Sequence, residues 1–192
     1  MPDNPLKVVG FAGSLRRESL NKLLLKAAAR LAPEGMSIDE LDIQDVPLYN
    51  GDIDGEDAPQ PVLDLKQAIA DADGLLIVTP EYNWGVPAVT KNVIDWASRR
   101  QSPPGNVLMD KPVSIMSISA GLGIGAYTRG QLRAVLISPR GVPMPYGDVG
   151  VSGGMSNFDE EGNLVDEGVR DRVIENLTAF ADWIRRVSAN GS

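Results

Sequence analysis

The segment from Gly13 to Asn21 holds the side chains best suited to bind a phosphate group. It reads Gly-Ser-Leu-Arg-Arg-Glu-Ser-Leu-Asn and joins an apolar run to an amphipathic pattern. Ser14 and Ser19 offer hydroxyl donors, and Arg16 offers a charged fork that matches phosphate oxygens. Because the start of a helix also directs backbone N–H groups at an anion, the segment predicts a phosphate site. The alternative is a helix start capped by Ser19 or Asn21, with the arginines in solvent.

The sequence of this segment also indicates which class of phosphate ligand it binds. It lacks the Gly-x-Gly-x-x-Gly of dinucleotide sites and the Gly-Lys-Ser/Thr of P-loops. Hydroxyls with a single arginine suit a terminal phosphate monoester better than a pyrophosphate. The expected ligand therefore carries a monoester at one end.

A second segment, Thr79 to Pro87, follows the most apolar run of the chain and reads Thr-Pro-Glu-Tyr-Asn-Trp-Gly-Val-Pro. Tyr82 and Trp84 give this stiff loop flat apolar faces that suit an aromatic ring system. Asn83 and the backbone N–H groups are candidates to bond the heteroatoms of such a ring. The alternative is that both aromatic side chains serve packing or a subunit interface, where aromatic residues are enriched.

A third segment, Ser117 to Gly125, contains three glycines that allow a backbone to approach a flat ligand closely. Ser119 is the candidate donor in this loop. The alternative is a glycine-rich turn that only begins a helix.

The three loops can form one site only if the fold brings them together. Strand-like and helical patterns alternate along the sequence, and this alternation predicts such a fold. Strands are predicted at Lys7–Gly13, Ser37–Leu41, Gly74–Thr79, Pro112–Ser119 and Val142–Val151. Helices are predicted at Asn21–Leu31, Val62–Ala72, Pro87–Arg99, Ala126–Ile137 and Asp166–Val187, with a long loop at Asp42–Pro61. The pattern predicts an α/β fold, a flavodoxin-like doubly wound five-stranded parallel sheet of order 2-1-3-4-5 with helices on both faces. Ligands of such sheets bind at the carboxyl ends of the strands, which is where the three loops lie.

Composition excludes several kinds of chemistry. The chain has no cysteine and no histidine, which rules out disulfides, thiolate nucleophiles, Cys/His zinc sites and Ser-His-Asp catalysis. Its net charge of −8 disfavours non-specific nucleic-acid binding. The acidic residues near the second strand are interpreted as solvated surface, so no metal site is predicted. No apolar run is long enough to span a membrane and no secretory signal is recognisable, so we predict a cytoplasmic protein without a membrane partner.

The two loop motifs, Gly-Ser-Leu-Arg-x-x-Ser-x-Asn and Thr-Pro-Glu-Tyr-Asn, are followed by Val-Pro-Ala-Val-Thr-Lys-Asn-Val-Ile-Asp-Trp. In this order they resemble the NAD(P)H-dependent FMN reductase family, which includes soluble quinone and chromate reductases. The likeness runs from about Lys7 to the final helix, and residues 1–192 are expected to form one flavodoxin-like domain that holds FMN non-covalently.

The resemblance also implies roles for individual residues. The FMN phosphate would be held by the first motif, with candidates Ser14, Leu15, Arg16, Ser19, Leu20 and Asn21. The isoalloxazine ring would be bordered by Pro80, Glu81, Tyr82 and Asn83, with Trp84 beside them and Ser119 and Gly121 contributed by the third loop. The segment from Lys91 to Trp96 is interpreted as structural.

The third loop departs from the family pattern, which usually reads Gly-x-x-Gly-Gly followed soon by arginine. Ile124 stands in place of the first glycine of the pair, and Tyr127 stands where arginine is common. Arg129 is the candidate replacement for that arginine. This difference from the family pattern affects how the nicotinamide cofactor is expected to bind and which contacts are expected to build a tetramer.

As a function, the resemblance implies an oxidoreductase that passes electrons from NADH or NADPH through FMN to a quinone, a free flavin, an azo compound or an oxidised metal ion. The flavin carries this chemistry, so no catalytic side chain is predicted. Members are usually dimers or tetramers with the flavin near the interface, so a homodimer or homotetramer is expected. One alternative is a flavodoxin-type electron carrier without a nicotinamide site. A Rossmann enzyme that uses only nicotinamide is disfavoured by the missing glycine motif.

Overall fold

The structure is a computed structural model that describes residues 5–119 and 123–190. Within these residues the strands are β1 (Leu6–Ala12), β2 (Met36–Glu40), β3 (Gly74–Val78), β4 (Pro112–Ile118), β5 (Val142–Pro143) and β6 (Val149–Val151). The helices are α1 (Leu20–Arg30), α2 (Gln60–Asp71), α3 (Ala88–Ala97), α4 (Ala126–Ile137) and α5 (Glu167–Asn190). All strand pairs are parallel and the order is β2-β1-β3-β4-β5, which confirms the predicted topology.

The sheet is buried on both faces because alternate residues of its central strands enter two different cores. On one face, Val8 packs in a core with Leu24 of α1 and Phe180 of α5. On the other face, Val9 belongs to a core with Leu65 of α2, and this core also takes residues from α3 and α4. The helices therefore lie on both sides, and every residue of β3 is buried, as its all-apolar sequence predicts.

The predicted fifth strand is the main correction. The segment 142–151 is not one strand: β5 and β6 are separate pieces that pair with the two ends of β4. Pro145 cannot donate to a ladder, and Gly147 has a φ of +85°, so the chain leaves the sheet between the two pieces. Other predicted ends lie within two residues of the observed ones, except that α5 continues to Asn190.

The long loop after β2 is packed against α3. The carbonyl of Pro47 accepts hydrogen bonds from Asn92 Nδ2 and from Trp96 Nε1, each at 2.8 Å. The backbone N–H of Tyr49 donates to Asn92 Oδ1 at 2.8 Å, and the Tyr49 ring meets the Trp96 ring edge-on. Asn92 and Trp96 therefore have structural roles, as the sequence predicts for their segment. In the two described ranges, no helix is long and apolar enough to cross a membrane.

Candidate functional site

The loops after β1, β3 and β4 meet at one edge of the sheet, because these three strands are neighbours with the same direction. A cavity of about 170 Å³ lies between the loops. It is lined by Ser14, Arg16, Ser19, Leu20, Asn21, Pro80, Glu81, Tyr82, Ile118 and Ser119. All of these except Ile118 are residues that the sequence predicts for the site.

The loop after β1 presents two serines to the cavity. Ser14 is only 3% exposed, and its Oγ lies 3.3 Å from the hydroxyl of Tyr82, which joins the first loop to the second. Ser19 begins α1, where its Oγ accepts a hydrogen bond from the backbone N–H of Asn21 at 3.2 Å. Because Ser19 acts here as an acceptor, its hydroxyl proton is left to donate to a ligand.

Arg16 lies on the rim of the cavity with its side chain exposed. Its guanidinium makes no hydrogen bond or ion pair with any residue in the ranges 5–119 and 123–190. The five donors of this group are therefore available to an anion, and they stand beside two serine hydroxyls.

Asn21 has a different role from the one its polarity suggests. Its side-chain amide donates to the carbonyl of Ile118 at 3.1 Å, and its side-chain oxygen accepts from the N–H of the same residue at 3.2 Å. This pair of bonds fixes the start of α1 to the end of β4. Asn21 thus positions the loop after β1, and its side chain is already hydrogen-bonded to Ile118.

The two leucines of the loop point in different directions. Leu20 lines the cavity, whereas Leu15 is 43% exposed and faces a separate cavity near Leu41 and Ile43. The structure therefore brings Leu20 to the site and turns the Leu15 side chain away from it.

The loop after β3 forms a tight hairpin. Tyr82 and Gly85 pair through two backbone hydrogen bonds of 3.1 and 2.9 Å. Asn83 and Trp84 between them have φ values of +50° and +60°, as in a type I′ turn. Gln131 of α4 holds this turn by donating to the Trp84 carbonyl at 3.1 Å and accepting from the Val86 N–H at 3.2 Å. Of the hairpin residues, Tyr82 lines the cavity, whereas Asn83 and Trp84 are not among its lining residues.

Trp84 and Tyr127 form a stacked aromatic pair on the surface. Their ring centroids are 5.2 Å apart and their planes differ by 2°. Trp84 is 70% exposed and Tyr127 is 54% exposed, so the outer faces of the pair are open in the monomer. The residue that replaces the usual arginine of the family thus contacts the hairpin of the second loop.

Glu81 lines the cavity, but its carboxylate also serves α4. Its Oε2 accepts a hydrogen bond from the backbone N–H of Thr128 at 3.0 Å, in the first turn of that helix. A carboxylate is stabilised there by the positive end of the helix. Glu81 therefore joins the second loop to the element that follows the third.

The third loop is described in part. Ser119 lines the cavity, and its backbone N–H donates to the carbonyl of Val151 at 3.0 Å. Gly121 lies outside the described residues. Ile124 and Gly125 follow with φ values of +43° and +70°, so the loop enters α4 through a left-handed turn.

The side chain of Arg129, the candidate replacement for the family arginine, points into the protein. Its guanidinium turns inward and donates to Ser117 Oγ at 2.7 Å and to the carbonyl of Ile124. Burial lowers the pKa of Arg129 from its usual range, while Asp148 and Glu81 oppose that effect. Arg129 therefore stabilises the third loop from its inner side, whereas the Tyr127 side chain is exposed.

Ile124 provides a test of backbone strain in this loop. A β-branched residue with positive φ is strained, and glycine relieves that strain. We expect Ile124→Gly to be more stable than Ile124→Ala by about 1 kcal/mol, measured by urea denaturation. The alanine variant is the matched control because it removes the same side chain and keeps Cβ. Equal stabilities of the two variants would show that the turn carries no strain.

Several residues of the site could not be predicted from the sequence. Ile118 contributes through its backbone to Asn21, and Gln131 reaches the hairpin from a helix 45 residues away in sequence from Val86. Neither residue type signals such a contact. Tyr127 was visible as a departure from the family pattern, but its stacking on Trp84 depends on where α4 begins.

The cavity is lined by two serine hydroxyls and the Arg16 guanidinium from the loop after β1, and by Pro80 and Tyr82 from the loop after β3. This donor set fits a phosphate monoester joined to a flat ring, as FMN is. The fit rests on residues from all three loops.

Comparisons with known proteins agree with this geometry. A family model described as NADPH-dependent FMN reductase matches residues 6–156. A 2-hydroxy-1,4-benzoquinone reductase of Burkholderia is 42% identical over 181 residues, which cover 94% of this chain and 97% of that relative. An NAD(P)H-dependent FMN reductase of Pseudomonas aeruginosa is 39% identical over 182 residues, which cover 95% of this chain and 97% of that relative. The solved structure of a flavoenzyme NAD(P)H:(acceptor) oxidoreductase from Paracoccus denitrificans matches with a TM-score of 0.86 at 33% identity, covering 94% of this chain and 98% of that one. The chain belongs to the NADPH-dependent FMN reductase family.

Proposed function

We propose that this protein is an oxidoreductase that takes electrons from NADH or NADPH and passes them through non-covalently bound FMN to quinones. The observation that carries the proposal is the cavity at the carboxyl ends of β1, β3 and β4, where two serine hydroxyls and the Arg16 guanidinium lie close to Pro80 and Tyr82. FMN, when bound, supplies the electron-transfer chemistry that a chain without histidine or cysteine lacks. Quinones are proposed as acceptors because the Burkholderia relative is named for reducing one.

The phosphate end is proposed to be held by Ser14, Ser19 and Arg16. Ser14 and Ser19 are buried and contribute hydroxyl donors, and Arg16 adds a charge on the rim. Asn21 acts by position, since it fixes the start of α1 to β4.

The ring end is proposed to be bordered by Pro80, Tyr82 and Ser119, with Glu81 holding the second loop in place. We propose no catalytic side chain, because the flavin carries the chemistry. The residues bind and orient, and they shield one side of the ring from water.

A visible spectrum of the purified protein tests this function. The flavin-loaded protein is expected to lose its absorbance near the flavin bands when NADH or NADPH is added without oxygen. Addition of 1,4-benzoquinone is expected to restore the absorbance. A flavin-loaded protein that neither nucleotide reduces would instead be an electron carrier.

The proposal extends to the domain organisation, the oligomeric state and the cellular location. We propose one FMN-binding domain over residues 1–192, a homodimer or homotetramer, and a cytoplasmic location. The exposed Trp84–Tyr127 pair supports an assembly, because aromatic side chains are enriched at interfaces. Light scattering coupled to size-exclusion chromatography tests the oligomeric state, and a monomer at micromolar concentration would contradict it.

Arg16→Ala tests the phosphate end. We expect the FMN affinity to fall by about 1.5–3 kcal/mol, or roughly tenfold to a hundredfold in Kd, because a charged hydrogen bond to the phosphate is lost. Fluorescence titration of flavin-free protein with FMN measures the effect. Arg17→Ala is the matched control, since Arg17 carries the same charge and does not line this cavity. If both variants bind FMN equally, Arg16 does not contact the phosphate.

A further inference from the structure

A second cavity, of about 580 Å³, lies beside the first on the outer side of α1. We call it the cationic groove, because Arg16, Arg17, Lys22 and Lys26 line it and only one carboxylate, that of Glu18, accompanies them. Four cations around one cavity stand out in a chain whose net charge is −8. Arg16 also lines the cavity of the proposed flavin site, so the two cavities are adjacent.

The four cations of the groove have no protein partner among the residues that the structure describes. None of them forms a hydrogen bond or an ion pair with any residue from 5 to 119 or from 123 to 190. Some other cations of the described chain are paired, as Arg133 is with Asp148 at 2.7 Å. Lys22 and Lys26 are four apart on α1, and like charges at this spacing destabilise a helix. An anion bound between them would relieve that repulsion.

The floor of the groove is apolar. Leu23 of α1 is half-buried there, and Met155 from the segment after β6 lies opposite with 58% of its surface exposed. A polarisable thioether packs well against an aromatic ring. The cavity volume is in the range of small-molecule sites. Cations around an apolar floor suit a ligand that has several phosphate groups on a flat base.

We propose that the cationic groove binds the adenosine 2′,5′-bisphosphate portion of NADPH, and that the protein therefore prefers NADPH to NADH. The inference rests on the proposed function, since that function requires a nicotinamide donor next to the flavin site. The shared residue Arg16 places the groove beside that site. The 2′-phosphate adds a dianion that NADH lacks, and the lysines supply charge for it.

Binding of a nucleotide fragment tests the groove without any turnover. Calorimetric titration of the flavin-loaded protein is expected to show adenosine 2′,5′-bisphosphate binding roughly tenfold or more tightly than adenosine 5′-monophosphate, which corresponds to one charged hydrogen bond. The variant Lys22→Gln/Lys26→Gln is expected to lose this preference. The variant Arg100→Gln/Arg186→Gln is the matched control, because it removes two exposed charges outside the groove. The proposal is overturned if the parent binds the two nucleotides equally. It is also overturned if the lysine and arginine double variants lose the preference for the bisphosphate to the same extent.

Steady-state kinetics separate this proposal from the proposed function. In the lysine double variant the KM for NADPH is expected to rise by roughly tenfold, while the KM for NADH rises less. If the loaded parent oxidises both nucleotides and the double variant keeps the parental KM for NADPH, the groove is not the donor site and the function stands. If the loaded parent oxidises neither nucleotide, the function fails, and the fragment titration still decides whether the groove binds the bisphosphate.

Discussion

Gly13→Ala is expected to lower the free energy of unfolding by about 2–3 kcal/mol, at the upper end of what overpacking a core costs. The same change is expected to weaken FMN binding by roughly tenfold, because it displaces the loop after β1, which we propose holds the FMN phosphate. An alanine Cβ at this position would lie 2.0 Å from Thr90 Oγ1 and 2.3 Å from Thr79 Oγ1. Both threonines are fully buried and bonded to each other at 2.8 Å, so neither has room to move away.

The backbone around Gly13 transmits this collision to the site. Its N–H donates to the carbonyl of Val78 at 2.8 Å, which continues the pairing of β1 with β3. Ser14 follows directly and lies within 3.3 Å of the Tyr82 hydroxyl. A shift at Gly13 therefore moves Ser14 and opens the contact between the first two loops.

Urea denaturation and FMN titration measure the two effects. Gly130→Ala is the matched control, because a Cβ there meets nothing within 4 Å and the residue lies inside α4. That variant is expected to gain about 0.5–1 kcal/mol, since alanine favours a helix over glycine. If Gly13→Ala is as stable as the parent and binds FMN as tightly, the close approach of the threonines has no consequence.

Lys66→Met is expected to lower the free energy of unfolding by about 2–4 kcal/mol, because it leaves buried acceptors without a donor. Lys66 is fully buried in α2. Its ammonium donates to the carbonyl of Arg99 at 3.0 Å, and to the carbonyl and hydroxyl of Ser102 at 2.5 and 2.7 Å. The N–H of Ser102 in turn donates to Asp54 at 3.1 Å. One lysine therefore joins α2, the end of α3 and the long loop after β2.

Lys91→Met is the matched control for this change. Lys91 is partly exposed and pairs with Asp95 one turn along α3, at 2.5 Å. Surface pairs of this kind contribute about 0–1 kcal/mol, so the control variant is expected to lose little. Similar losses in the two variants would show that the buried bonds of Lys66 do not stabilise the fold more than a surface pair does.

The effect of Lys66 is expected to depend on pH. Burial lowers the pKa of its ammonium, an effect that nearby Asp54 partly offsets. The folded protein thus releases this proton at a lower pH than the unfolded chain does. Between the two pKa values the unfolded state binds more protons, so the stability of the parent rises with pH there. The difference in the free energy of unfolding between the parent and Lys66→Met is expected to be larger near pH 10 than at about pH 7. At the higher value the pH is close to the usual lysine pKa of about 10.4. A difference that narrows with pH would contradict a lowered pKa.

Much of the fold could be predicted because its elements carry strong local patterns. The all-apolar run of β3 predicts a buried strand, and apolar residues at helical spacing in α5, such as Val169, Val173 and Leu177, predict an amphipathic helix. The alternation of strands and helices then predicts the parallel sheet. The break between β5 and β6 could not be placed, because the run from Val142 to Val151 has apolar residues typical of a strand at both of its ends. Only the position of β4 shows that the two pieces pair separately.

At the site, the sequence predicted which residues lie near each other better than it predicted what their side chains do. Nine of the predicted residues line one cavity, because they follow three adjacent strands. The orientation of Asn21 depends on the backbone of Ile118, which is 97 residues away in sequence. Arg129 has the right residue type for an anion, yet it faces Ser117, because its place on α4 turns it inward. The direction in which a side chain points from a loop or a helix turn depends on tertiary contacts, and a single sequence does not reveal those contacts.

The broken edge strand bears on how the protein avoids aggregation. A long, straight edge would offer a row of unpaired backbone groups to another chain. Here β5 has two residues and β6 has three, and the chain leaves the sheet between them. Arg172 of α5 also donates to the carbonyl of Gly150 at 3.0 Å, which occupies an acceptor in β6. A foreign strand would therefore find no continuous template along this side of the sheet.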